Sequence, residues 1–354
     1  MSDPEPKEIL LITGAGASVP FGLPTGARLL ELIQYALGDD RKEETRNESL
    51  LRVHLDRMGK EAAEFLSCHQ ALRSEFLDAL KKSGIPSIDA FMAAPENANE
   101  FGQLGKLVLA KILLDQEQSA FLQTGDWLGE IIDNQLVEPE DDPIERVEKF
   151  VDKVGIITFN YDRTIEHFLW QRMVYGQRRE LSEAWDILQR LSVSHVYGHL
   201  GAYRPSEKRP ETDSQGVGFG DVTKAKIAAK SIELIGERGN TGNTTDNDAA
   251  RTRQSLLSTA KRIAFLGFGF DEANLRILGL DKTWYDSRPL RDQRFPKPEF
   301  SGSSGYGMTD LQCRRTYFGD RNKGNFVWGT ESETCLDFVQ RYEVVEHVDW
   351  VEKK

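Results

Sequence analysis

Ile9-Leu-Leu-Ile-Thr-Gly-Ala-Gly-Ala-Ser18, followed by Phe21-Gly-Leu-Pro-Thr-Gly26, is the stretch that decides the fold. Four consecutive aliphatic residues are too few for a buried helix and read as a short buried strand. Gly14 and Gly16 then let the backbone turn sharply and expose its N–H groups, and residues 27–37 pattern as a helix. A strand, a glycine turn and a nearby helix N-terminus make a cradle for a phosphate or pyrophosphate. A nucleotide is therefore expected at this end of the chain. The stretch departs from a dehydrogenase fingerprint, which wants a third glycine near position 19 and an acid about 20 residues on. Position 19 is Val, Pro20 and Pro24 interrupt the helix, and no second strand carries a ribose-binding acid.

Beyond this stretch the text is helical from about 38 to 150, with apolar residues at helical spacing over 50–58, 61–82, 100–115, 125–136 and 143–151. Ser83-Gly-Ile-Pro86 is a break. Strand signals return at 154–158, 193–197, 232–235 and 262–266, with helices over 162–175 and from Glu272. Strands alternating with helices predict an α/β fold with a parallel sheet and a helical insertion at about 38–150. Polar stretches at 205–218, 238–249 and 287–307 read as surface loops. The organisation expected is one nucleotide-binding domain over 1–285 and a C-terminal extension over 286–354, the latter as an oligomer or partner contact.

The 354 residues carry 45 Lys and Arg against 57 Asp and Glu, a net charge of -12. That balance argues against direct nucleic-acid binding, which needs a basic surface. No apolar run approaches the 18 or so residues of a membrane span, and Met1-Ser-Asp-Pro-Glu-Pro-Lys7 is too polar for a secretory signal. Cys68, Cys313 and Cys335 have no metal-ligand spacing, and an odd, low count fits a reducing compartment. The reading is a cytoplasmic protein with no membrane segment and no metal.

The chemistry collects where strands end, which is where open parallel sheets bind ligands. After the first strand comes Gly14-Ala-Gly-Ala-Ser18; after the second, Thr158-Phe-Asn-Tyr-Asp162; after the third, Tyr197-Gly-His-Leu-Gly201; after the last, Gly267-Phe-Gly-Phe-Asp271 with Asn274. Asn160 can donate and accept at once, which suits a ribose hydroxyl or a water beside a sugar carbon; it also suits capping the next helix, as does Asp162. His195, Tyr197 and His199 lie two apart, so all three can face one side. A histidine there serves either as a general base or as a structural group. Gly267 and Gly269 permit close approach by a ligand or by a neighbouring backbone. His54, His69, His167 and His347 are scattered and make no metal pattern.

Taken in order, Gly14-Ala-Gly-Ala-Ser18 with Gly22-Leu-Pro24, Thr158-Phe-Asn-Tyr-Asp162, and Leu266-Gly-Phe-Gly-Phe270 with Asn274 resemble the sirtuin-like superfamily, in its bacterial antiphage-defence branch. Ser87-Ile-Asp-Ala-Phe91 is similar to a short motif of that branch. The resemblance covers residues 8 to about 280. It implies a Rossmann-like fold that binds NAD as a substrate, and cleavage of the nicotinamide–ribose bond. Thr13, Gly14, Ala15, Gly16, Ser18 and Pro24 would hold the cofactor together with Gly267, Gly269, Phe270 and Asn274. Asn160 and Asp162 match the catalytic Asn-x-Asp motif. The family's His before Gly is Tyr197 here; at this departure the base stays open, with His199 favoured, His195 in reserve and Tyr197 as a positioner. It further implies a homo-oligomer, and a partner protein such as a HerA-type hexameric ATPase that holds a toxic NADase in check. The alternatives are a non-catalytic NAD or ADP-ribose sensor and a protein deacylase, the latter disfavoured because the deacylases' four-cysteine zinc module is absent.

Overall fold

The computed structural model describes residues 7–37, 70–85, 87–94, 96–97, 100–120, 126–136, 142, 144–205, 216–234, 244–280, 300–306, 308, 326–342 and 344. Six strands, β1 (Ile9–Thr13), β2 (Val154–Thr158), β3 (Ser192–His195), β4 (Arg262–Leu266), β5 (Phe300–Ser303) and β6 (Val327–Trp328), form one sheet in the order β3-β2-β1-β4-β5-β6. Every pairing is parallel. Helices cover both faces, so the fold is the Rossmann-like α/β arrangement. Its order reverses between β1 and β4, and that places a crevice outside the carboxyl ends of those two strands.

β1 shows why its sequence is continuously apolar. Leu10 and Ile12 join one hydrophobic cluster, Ile9 and Leu11 the other, and none of the four is more than 2% exposed. A strand buried on both faces has no polar side to alternate with, and each such side chain contributes about 1.5–3 kcal/mol by leaving water. The first cluster takes in the helices Gly26–Leu37, Gln70–Ser83, Ile88–Ala93 and Glu100–Ser119, so the described part of the insertion up to Ser119 packs on that face. The second takes in Trp127–Glu130, Arg146–Lys153, Thr164–Gln171, Leu181–Gln189 and Cys335–Arg341.

Four expectations change. Of the loop expected over 238–249, residues 244–249 begin the Thr244–Thr259 helix. The strand expected over 193–197 stops at His195, because Gly198 at φ +71 turns the chain; of the strand expected over 232–235, residues 232–234 are described and make a single antiparallel bridge, from Ile232 to Gly198. The 287–307 loop contains β5, so the boundary drawn at 285 falls between neighbouring strands of one sheet. The helix expected over 50–58 lies outside the described residues. No described helix is long and apolar enough to cross a membrane.

Candidate functional site

The glycine turn after β1 presses backbone to backbone on the turn after β4. Gly14 N donates to Leu266 O at 3.0 Å and Gly16 N to Gly267 O at 3.1 Å. A Cβ on Gly14 would stand 2.6 Å from Gly267 O, and one on Gly16 2.7 Å from Gly267 Cα. The two glycines are thus required by a chain crossing, and their amides are spent there instead of facing a phosphate. Ala17 N is spent on Gly14 O, which leaves Ala15 as the amide with no carbonyl partner among the described residues. Thr13 Oγ1, fully buried beneath the turn, has no hydrogen-bond partner there either.

This crossing predicts a contrast between two alanine substitutions. Gly267 has φ +59, and a Cβ there would lie 2.1 Å from Ala17 N, whereas a Cβ on Gly269 meets nothing within 4 Å. Left-handed backbone alone costs an L side chain about 1–2 kcal/mol, and the clash adds to it. Gly267→Ala is expected to lower the urea midpoint strongly and Gly269→Ala to leave it close to wild type; equal midpoints would contradict the crossing.

Over this turn lies the end of β2. Asn160 Nδ2 donates to Gly14 O at 3.0 Å and to Ser18 Oγ at 2.9 Å, and Ser18 Oγ donates to Asp162 Oδ2 at 3.0 Å. Asp162 also accepts from Thr164 N, the first amide of the Thr164–Gln171 helix, at 3.2 Å. Burial pushes its carboxyl up, against those hydrogen bonds. Both amide hydrogens of Asn160 are used, so the dual donor and acceptor expected from the sequence is an acceptor only: what Asn160 offers a ligand is Oδ1.

The three residues around the β3 end do not act as one face. His195 Nδ1 lies 3.0 Å from Asn160 O and Nε2 3.0 Å from Glu166 Oε1. Burial pushes the ring down, but the charge and hydrogen bond of Glu166 overcome this and hold it above its ordinary 6.5. Burial likewise pushes Glu166 up, and the His195 charge holds it below 4.5. With both nitrogens engaged, His195 is not placed to take a proton from a ligand. The His199 ring stands 5.3 Å from it; burial and the His195 charge push His199 down to about 4, and among the described residues its Nδ1 has no partner in hydrogen-bonding geometry. Tyr197 turns the other way, packs edge-on against Phe159 and donates its hydroxyl to Asn274 Oδ1.

The pH dependence of the pair follows with its sign. The raised His195 contributes stability fully below 6.5 and loses it as pH rises through its folded pKa; the lowered Glu166 contributes above 4.5 and loses it as pH falls through its own. His195→Gln is expected to lower the thermal midpoint most between these two values and progressively less toward alkaline pH; a difference independent of pH would contradict the ion pair.

Of the remaining expected residues, Phe270 sits at φ +53 with its ring against Phe265, Phe268 and Trp328, a core position instead of a ligand contact. Asp271 caps the Glu272–Ile277 helix through Ala273 N. Pro24 is half-buried before the Gly26–Leu37 helix. Sequence reasoning missed Glu166, whose signal was its position four residues after Asp162 on a helix leaving β2. It also left Asp89 without a role: Asp89 accepts the Tyr161 hydroxyl, which docks the Ser87–Phe91 stretch of the insertion on the Asn-Tyr-Asp segment. Burial pushes the Asp89 carboxyl up, against that bond.

Among the described residues no cluster of three or more His, Cys, Asp or Glu is placed to hold a metal ion. No family model matches the chain, and no curated protein matches it.

Proposed function

We propose that the chain is an NAD hydrolase that cleaves the nicotinamide–ribose bond and depletes NAD as an effector of antiphage defence. The observation that carries the reading is Asn160: it follows β2, beside the turn after β1, and is locked there to Gly14 and Ser18, with its side-chain oxygen left to offer. In the reaction the bond from the sugar carbon to the nicotinamide nitrogen breaks, and its electron pair neutralises the pyridinium. Oxocarbenium character builds on the sugar, as in glycoside cleavage, and water adds there with loss of a proton. Asn160 Oδ1 orients that water or a ribose hydroxyl, Ala15 N–H and Thr13 Oγ1 meet the pyrophosphate, and Ser18 and Asp162 hold Asn160 in place. Products are nicotinamide and ADP-ribose. The homo-oligomer and the HerA-type ATPase partner rest on the sequence resemblance alone.

A second reading has its own observation. His195 is engaged at both nitrogens, Tyr197 donates to Asn274, and a histidine at about 4 is a weak base at neutral pH. An NAD or ADP-ribose sensor would need no base. Nicotinamide release from NAD by the purified protein, alone and with whatever co-purifies, separates the two. Release supports the hydrolase; NAD that binds and survives in every mixture replaces it with the sensor. Turnover of an acetyl-peptide with NAD would replace both with a deacylase.

A further inference from the structure

We propose that Glu166 is a positioning residue for the reaction at Asn160, acting through His195 to hold the Asn160 peptide over the glycine turn. The proposal rests on the hydrolase reading above and adds a residue to it. The Asn160 carbonyl can only accept, so His195 carries a proton on Nδ1 and donates it there across 3.0 Å. Its other nitrogen meets Glu166 Oε1 across 3.0 Å, and a protonated ring donates at both ends. Hydrogen bonds to charged groups are about twice as strong as neutral ones, and here both partners are almost withdrawn from water, with side chains 6% and 11% exposed.

The chain of contacts joins three separate elements. Glu166 comes from the Thr164–Gln171 helix, His195 ends β3, and Asn160 follows β2. The Asn160 side chain is pinned on the β1 turn, its amide N on Thr158 Oγ1 at 3.1 Å, and its carbonyl on His195. The direction of Oδ1 is therefore set from three sides; the His195 contact depends directly on a titrating group, and the Ser18 contact reaches one, Asp162, at one remove. Displacements of about 1 Å at a reacting centre cost on the order of 100-fold in rate.

The groups facing His195 are Glu166 and Asp162, which favour its charge, and His199, which is neutral above about 4. Arg163 bears on His199. When His195 loses its proton at alkaline pH, a bare Nε2 faces the Glu166 carboxylate and the two repel. In Glu166→Gln the side-chain amide can accept from the charged ring or donate to the neutral one, so either state is held.

The test is kcat and KM for NAD, from about pH 5 to 10, for the full-length wild type, Glu166→Ala and Glu166→Gln, with thermal melts beside them. Glu166→Ala is expected to lose about 10- to 100-fold in kcat with KM within a few-fold. Glu166→Gln is expected to recover most of the neutral-pH rate and to lose the alkaline decline that wild type shows. A purely structural role would move the melts without altering the shape of the pH profile. An active wild type beside an unaffected Glu166→Ala, or a Glu166→Gln profile with the wild-type alkaline limb, overturns the proposal alone. A wild type that releases no nicotinamide overturns the hydrolase reading, and this role falls with it.

Discussion

Asn160→Ala is expected to reduce nicotinamide release by about 100-fold or more, the scale lost when one preorganised polar contact to a transition state is removed. Oδ1 is the part of Asn160 that no donor among the described residues engages, so its removal takes away the acceptor that orients the attacking water or ribose hydroxyl. The substitution has a structural cost as well. Ser18 Oγ loses its donor, while Gly14 O loses one and keeps Ala17 N, and an acceptor stranded in a buried site costs about 1–3 kcal/mol. Asn160→Asp separates the two effects poorly, because a carboxylate cannot donate to Gly14 O and would stand beside Asp162. Ser18→Ala is the better control: it leaves the Asn160 side chain and its bond to Gly14 O in place while removing one tether. The expected order of kcat is wild type, then Ser18→Ala, then Asn160→Ala, each measured on protein whose melt shows it folded. Equal turnover in wild type and Asn160→Ala would remove Asn160 from the reaction.

How much of this was legible depends on where each residue's reason lies. β1, β2 and β4 are mostly apolar runs buried on both faces, and their signal is local. β5 is Phe-Ser-Gly-Ser, which has the composition of a loop. Ser301 and Ser303 are nonetheless buried, and the neighbouring Ser304 Oγ accepts from Gly267 N at 2.9 Å. The need for small polar residues there is set by the β4 turn, some 35 positions earlier. The site divides in the same way. Asn160, Ser18 and Asp162 were found because their motifs lie next to strand ends. The roles of His195, Tyr197 and His199 were not separable, because they are decided by Glu166, Asn274 and the left-handed turn at Gly198. Alternation along a strand held all three on one side only while the strand was taken to continue, and it stops at His195.

The last expectation concerns Arg163, which follows directly on Asp162. Its side chain is 1% exposed, and the Glu117 side chain opposite is 0% exposed. Nη2 donates to Glu117 Oε2 at 2.6 Å and Nε to Oε1 at 3.2 Å; the Arg163 amide adds a third bond to Oε1 at 3.0 Å, and Gly220 N a fourth to Oε2 at 3.0 Å. The rest of the guanidinium donates to Val217 O at 2.6 Å, Gly218 O at 3.1 Å and Gly201 O at 3.4 Å. One ion pair thus joins the helical insertion, the Asn-Tyr-Asp segment and the 216–220 turn. Desolvating two charges largely cancels their attraction, so the pair as a whole adds little net stability. Breaking it is another matter, because a single truncation strands the other charge in a site closed to water. Arg163→Ala and Glu117→Ala are each expected to cost about 3–5 kcal/mol, a large part of the roughly 5–15 kcal/mol that holds a folded domain together. Arg163→Met with Glu117→Leu is expected to cost far less than the two alanine variants summed, though not zero, because the carbonyls of Val217 and Gly218 and the amide of Gly220 lose partners. Urea unfolding of the singles and the double supplies the comparison. Additive costs, or single variants within about 1 kcal/mol of wild type, would mean that the pair is open to solvent and that the Asn-Tyr-Asp segment is held by its backbone bonds alone.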